Sequence, residues 1–466
     1  MGEGEGEPGG QAPGAFGGDV GEQPAPGEPQ GDDPEGAPED GGEGLEATDN
    51  SGAGEGAPDA NIDVQPIEPD EGTPDTSAPL VGNGVSLGGT CVPLCASSAT
   101  DADAMGVTDG WGYENDASCL VEGSIPAGQG PLCDLAGSVP LPPPIPRGSN
   151  VIRPEGVEST GFFVSGGRLF DALGNDFVMR GVNNPLAWFL NRTTGALAWT
   201  EQIASTGANT VRLVWETDVP SANIPLLREA IQRTVELGMI PMVELHDVTG
   251  GRDIDEPARM ARYYTETDAV RQILLDYEDY LLVNIANEWD GGSDIYVEAY
   301  TRAIQTLRGA GINHTLVIDA NGYGQNANTV ITQGPTLLGI DPQHNLLFST
   351  HMYQSFRNAE TIRDTLQRAA DAQIPFIVGE FGFQHGEDQQ GNPIPIPFQV
   401  LLDEAERHGF GYLAWSWTGN GGGVEYLDLT ARSGSAEQLS VWGDDIVNGP
   451  NGIRATSEPA SIFLSL

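Results

Sequence analysis

From about residue 161 onward, short apolar runs recur along the chain with amphipathic stretches between them. The runs cover residues 177–183, 209–215, 240–246, 281–289, 315–320, 346–353, 375–382 and 411–417. Each is short and nearly continuously apolar, the pattern of a strand buried on both faces. Between them, stretches such as 224–237 and 295–308 place apolar residues at helical spacing. Eight buried strands alternating with helices predict an α/β fold with a parallel sheet, a (β/α)8 TIM barrel. Ahead of the first run, 162–170 and 176–181 flank residues 171–175, which read as the turn of a hairpin.

The pattern is absent from the first part of the chain. Residues 1–85 are Gly, Pro, Glu, Asp and Ala with few large apolar side chains, and read as a disordered acidic linker. Residues 86–137 hold all four cysteines, Cys91, Cys95, Cys119 and Cys133. An even number in so short a segment indicates a small module with two disulfides and an oxidising compartment, with the pairing left open. A zinc site is disfavoured by the thirteen residues between Cys119 and Cys133. Residues 138–158 form a Pro-rich linker, and 159–466 the barrel.

Charge narrows the partners. The 466 residues carry a net charge of −48, and all 20 basic side chains are arginine. Residues 151–466 alone have 40 Asp and Glu against 19 Arg. Such a surface repels nucleic acid and anionic membranes and suits a neutral polymer. There is no apolar run of membrane-spanning length. No signal peptide is visible after Met1, so a secreted, extracellular address is an expectation from the cysteines and the chemistry. A monomer is the default expectation.

In a TIM barrel the chemistry sits at the C-terminal ends of the strands. The polar and aromatic residues there are Asn183, Arg212, His246, Asp247, Asn287, Glu288, His351, Tyr353, Glu380, Trp415 and Trp417. Glu288 and Glu380 both follow apolar runs, and a buried carboxylate is costly unless paired. Paired carboxylates suit glycosidic cleavage, one as a protonated acid and the other as an ionised nucleophile. A structural ion pair of Arg212 with one glutamate is the plainer alternative.

The motifs Asn287-Glu288-Trp289 and Gly379-Glu380-Phe381-Gly382 resemble the strand-4 and strand-7 motifs of glycoside hydrolase family 5. Residues 163–166, Val178-Met179-Arg180-Gly181-Val182-Asn183, His246-Asp247-Val248-Thr249-Gly250, His351-Met352-Tyr353, Leu413-Ala414-Trp415-Ser416-Trp417 and Tyr426-Leu427-Asp428-Leu429 resemble that family's bacterial β-mannanases. The resemblance implies retaining, endo-acting hydrolysis of β-1,4-linked mannan or glucomannan with no cofactor or metal. Glu288 would be the acid/base and Glu380 the nucleophile. Asn287 would bind the 2-hydroxyl of the sugar at the cleavage point. Arg212, His246, His351 and Tyr353 would position Glu380 and tune its charge. Trp415 would floor that sugar, and Trp188, Trp289 and Trp417 are candidate walls of neighbouring subsites. Glu244 and Asp247 would be supporting residues. The carboxyls of a retaining pair are expected about 5–5.5 Å apart.

The segment with Pro93-Leu94-Cys95, Gly110-Trp111-Gly112-Tyr113-Glu114-Asn115 and Ser118-Cys119 resembles carbohydrate-binding module family 10. It departs from that pattern in having only three residues between its first two cysteines. The resemblance implies binding of cellulose or plant cell wall, with Trp111 and Tyr113 as the platform. Two other functions stay open for the barrel: an endo-β-1,4-glucanase, and a non-catalytic polysaccharide binder. Retention of both glutamates disfavours the second.

Overall fold

The computed structural model describes residues 148–464 in full. Before them it describes the backbone of five strands, Asn83–Leu87, Thr90–Ser98, Trp111–Glu114, Ala117–Glu122 and Leu132–Asp134, which join in one sheet. The expected linker over 1–85 lies almost wholly outside the described residues, as do the side chains of Trp111, Tyr113, Cys91, Cys95, Cys119 and Cys133. The expected disulfides and aromatic platform therefore lie outside them too.

Eight strands close into a barrel: β1 (Arg180–Asn184), β2 (Thr210–Trp215), β3 (Ile240–Leu245), β4 (Leu282–Asn284), β5 (Leu316–Asp319), β6 (Leu346–Met352), β7 (Phe376–Phe381) and β8 (Gly411–Ala414). Each is parallel to its neighbours in the chain, and β8 closes the ring on β1 through pairs such as Leu413 with Gly181. Each of the eight predicted runs carries one strand, the first extending one residue past its run to Asn184. The amphipathic stretches become helices Ile224–Glu236 and Tyr296–Gly309. The fold is the expected TIM barrel.

The two-residue period of a strand explains how this barrel builds a site. On one face of the strands Val211, Leu213, Val243, Val283, Ile318, Phe348 and Val378 pack outward in the main core. The other face points inward and changes character along its length. Near the strand beginnings it is apolar: Ile240, Met242, Leu282, Val317, Leu347, Ile377 and Leu413 form a second cluster. Further along, the inward face carries Asn183, Arg212, Glu244, Asn284, Asp319 and His351, all buried. The polar layer thus lies at the C-terminal end of the barrel, on a packed apolar plug.

Two expectations need correction. The run 162–170 is a hairpin in its own right, Phe163–Ser165 against Arg168–Phe170. Gly166 and Gly167, with φ of 55° and 78°, make its turn, a left-handed conformation that glycine adopts without strain. The turn expected at 171–175 does form, but it leads only to a single bridge between Phe170 and Asp176. Phe162, Val164 and Leu169 from this region join the inner apolar cluster. The second correction concerns length. β4 stops at Asn284 and β8 at Ala414, so Glu288, Trp289, Trp415 and Trp417 lie beyond the strands on turning backbone. Glu288 itself has a left-handed φ of 45°.

Among the described residues no helix is long and apolar enough to cross a membrane.

Candidate active site

Arg212 organises the polar layer. Its side chain is fully buried on β2 and donates to Glu380 Oε1 at 2.7 Å, Asn183 Oδ1 at 3.0 Å, Asn284 Oδ1 at 2.9 Å and Asn287 Oδ1 at 2.7 Å. Glu244 and Asp319 stand 3.6 Å from it. Burial works against its charge, but the Glu244, Glu380 and Asp319 carboxylates outweigh burial and hold the guanidinium protonated. Tyr353 donates its hydroxyl to the other Glu380 oxygen at 2.8 Å. Burial and then the Glu380 charge push the Tyr353 pKa well above its ordinary value, so it stays a donor. Glu380, 3% exposed, therefore has one charged and one neutral donor, one on each oxygen.

Glu288 is 7% exposed. Its Oε1 lies 2.7 Å from His351 Nδ1, and its backbone N–H donates to Asp319 Oδ2 at 3.2 Å. His351 comes from β6 where the register with β7 shifts between Thr350 and His351, an irregularity of the kind that re-aims a side chain. Burial alone would lower its pKa. The charges of Glu380 and Asp319 and the bond to Glu288 more than offset that and raise it to about 9. His351 is thus protonated at neutral pH and donates to Glu288. One oxygen each from Glu288 and Glu380 and a ring nitrogen of His351 all lie within 4.8 Å of one another.

A third group borders the pair. His246 Nδ1 sits 3.0 Å from Glu244 Oε1. Burial works to lower the pKa of this histidine, but Glu244 and then Glu380 more than offset that and raise it. Its ring meets Trp188 edge-on at 5.1 Å and stacks with Trp415 at 5.8 Å. Trp188 is half exposed and donates its indole N–H to Glu216 at 2.9 Å. Trp415 donates its indole N–H to Asn420 at 3.1 Å. Asp247 lies beside these groups and accepts from the Thr217 backbone at 3.0 Å.

The structure brings together Arg212, Asn287, Glu288, His351, Tyr353 and Glu380, with His246, Trp188 and Trp415 alongside. Three expectations change. Trp289 and Trp417 are 0% exposed, so they have no surface for a sugar. Trp289 packs on Tyr296 and Tyr300, and the Trp417 indole bonds to Gly434 O. His246 bonds to Glu244 and not to Glu380. His351 sits nearer Glu288 than Glu380, at 2.7 against 3.6 Å. The Asn287 amide accepts from Arg212 and donates to Thr249 Oγ1 at 2.8 Å, which leaves one amide hydrogen for a ligand.

Sequence reasoning missed Asp319, which touches the Glu288 backbone, Asn284 and Arg212. The signal was present: it is the aspartate that ends the apolar run Leu316-Val317-Ile318 at the same level as the other strand-end groups. Asn420 was also missed. It lies in the run Gly419-Asn420-Gly421-Gly422-Gly423, which has no hydrophobic pattern to place it.

A closed (β/α)8 barrel with two buried glutamates facing each other at its C-terminal mouth, one held by Arg and Tyr and the other by His, defines a glycoside hydrolase. The family model described as cellulase, glycosyl hydrolase family 5, matches residues 170–421. The chain belongs to glycosyl hydrolase family 5. It is 36% identical over 312 residues to a mannan endo-1,4-beta-mannosidase of Salipaludibacillus agaradhaerens, covering 65% of this chain and 96% of that one. A mannan endo-1,4-beta-mannosidase of Streptomyces lividans is 38% identical over 316 residues, 65% of this chain and 78% of that one. A solved structure, the mannohexaose complex of Thermomonospora fusca beta-mannanase, superimposes with a TM-score of 0.57 at 36% identity, covering 66% of this chain and all of that one.

Proposed function

We infer that this chain is an endo-acting β-mannanase that hydrolyses internal β-1,4-mannosidic links of mannan and glucomannan with retention at the anomeric carbon. The observation that carries the chemistry is the approach of the Glu288 and Glu380 oxygens to within 4.8 Å, with different partners on each. An inverting pair stands roughly 6.5–9.5 Å apart to admit water between acid and base, so the close pair supports retention. The endo-mannosidase relatives support the linkage and the sugar.

Glu380 is the nucleophile. Arg212 on one oxygen and Tyr353 on the other aim it at the anomeric carbon. Glu288 is the acid. With His351 against its carboxyl, it gives a proton to the oxygen of the departing chain while Glu380 bonds to the anomeric carbon. Water then enters, gives its proton to Glu288 and its oxygen to the sugar, and Glu380 leaves. The free amide hydrogen of Asn287 would bind the 2-hydroxyl, Trp415 would lie under the sugar, and Trp188 would extend that aromatic surface. His246 would hold the surface together between the two indoles. The Cys-rich segment would hold the enzyme on cell-wall polysaccharide through Trp111 and Tyr113, outside the cell.

The reading is tested by reducing-sugar release from linear mannan, glucomannan and carboxymethyl cellulose side by side. Release from the first two and little from the third is expected. Release from the cellulose derivative alone would keep the mechanism and move the substrate to β-glucan.

A further inference from the structure

The order of strands round the closed barrel divides its mouth in two. Glu288 follows β4 and Glu380 ends β7, so β5 and β6 lie on one side of the carboxylate pair and β8, β1, β2 and β3 on the other. The longer arc carries Trp415, Trp188 and His246, with the His246 ring against both indoles. The Trp415 backbone also donates to Phe381 O at 3.0 Å, next to the nucleophile. That is the side of the sugar under attack. The shorter arc carries one large aromatic exposed to solvent, Tyr323, at 39%.

Tyr323 is held there at a cost. It lies in Gly322-Tyr323-Gly324 after β5, and all three residues are left-handed, with φ of 66°, 54° and 71°. Glycine takes that conformation freely and tyrosine rarely does. Such backbone persists where its surroundings fix it, and it concentrates at ligand sites. The surroundings are evident. Gly324 O accepts from the His351 backbone at 2.7 Å and from Thr350 Oγ1 at 2.8 Å. A Cβ on Gly324 would stand 2.5 Å from the His351 ring. The Tyr323 ring itself covers Gly250, with ring atoms and hydroxyl 2.7–3.0 Å from where a Cβ there would lie. Gly250 N–H in turn donates to the Glu288 carbonyl at 3.0 Å. A phenol ring is thus fixed beside the residue that protonates the leaving oxygen, with part of its surface in water.

We propose that Tyr323 is the stacking platform for the leaving-group sugar, a β-linked mannosyl residue on the reducing side of the scissile bond. The proposal rests on the mannanase reading and on Glu288 as acid. The apolar C–H face of a pyranose suits the ring. The platform acts only when the leaving group is a sugar.

The test compares Tyr323→Phe and Tyr323→Asn on two substrates, mannohexaose and β-mannobiosyl fluoride, whose leaving group is a lone fluoride ion. Asparagine tolerates a left-handed φ, so the loop keeps its shape. Relative to the wild type, kcat/KM of Tyr323→Asn should fall by roughly tenfold more on mannohexaose than on the fluoride. Tyr323→Phe should keep the wild-type ratio of the two. Equal losses on both substrates would overturn the proposal, because Tyr323 would then act on the carboxylates or the fold. So would Tyr323→Phe losing as much as Tyr323→Asn, because the hydroxyl and not the ring would be responsible. A wild-type enzyme that cleaves neither substrate would overturn the mannanase reading itself, and this inference with it.

Discussion

Replacing Glu380 by alanine should lower kcat on mannan by at least about 10⁴-fold, with the fold intact. The reasoning starts from its two partners. Arg212 and Tyr353 each give a hydrogen bond to a different Glu380 oxygen, and together they fix the carboxylate's direction. The neighbouring groups are engaged elsewhere. His351 is committed to Glu288, and Glu244 lies below the surface against Arg212 and His246. The alanine also leaves a space where a small anion fits. With an aryl β-mannobioside and added azide, Glu380→Ala protein should recover turnover and release the α-configured mannobiosyl azide, because azide enters from the face that Glu380 occupied. Product analysis by NMR checks this. Hydrolysis of mannan by Glu380→Ala protein near the wild-type rate would refute the assignment.

The second large effect is on stability. Arg212→Met should destabilise the barrel by roughly 3–5 kcal/mol, the usual loss when one partner of a buried charged network is removed. Arg212 is the cation that Glu244, Asp319 and Glu380 share, and it lies at the centre of the Asn183, Asn284 and Asn287 amides. Methionine fills much of the volume, so the loss reports charge more than cavity. The expected fall in Tm is about 10 °C. Adding Glu244→Gln to Arg212→Met should recover part of it, since one of the stranded carboxylates is then neutral. Thermal and denaturant unfolding of the single and double variants measure both effects. A loss below about 1 kcal/mol for Arg212→Met would mean that the network is not held by this charge.

The sequence carried the barrel because its two signals are independent of loop detail. Runs buried on both faces marked each of the eight strands, and helical periodicity marked the stretches between them. The strand ends also announced the site, since apolar runs that lead into Arg212, Asn287 or Glu380 have no packing reason to do so. What stayed illegible depends on where the backbone turns. Trp415 and Trp417 are two apart and would share a face on a strand. The strand ends at Ala414, so one borders the cleft and the other is buried. Trp289 follows a left-handed Glu288, and that single φ sends its ring into the core. Gly166-Gly167 was read as part of a strand because the residues on both sides are apolar, although a paired glycine is itself a turn signal. Tyr323 carried no signal, since its neighbours form neither a strand nor a helix pattern.

The central claim is that Glu288 and Glu380 cut a β-mannosidic bond by double displacement. The most direct test is the anomeric configuration of the product as it first appears, followed by proton NMR during hydrolysis of mannohexaose by the wild-type protein. The account predicts that the new reducing end appears first as the β anomer and converts to α only by mutarotation. An α anomer appearing first would mean direct attack by water, and Glu380 could then not be the nucleophile.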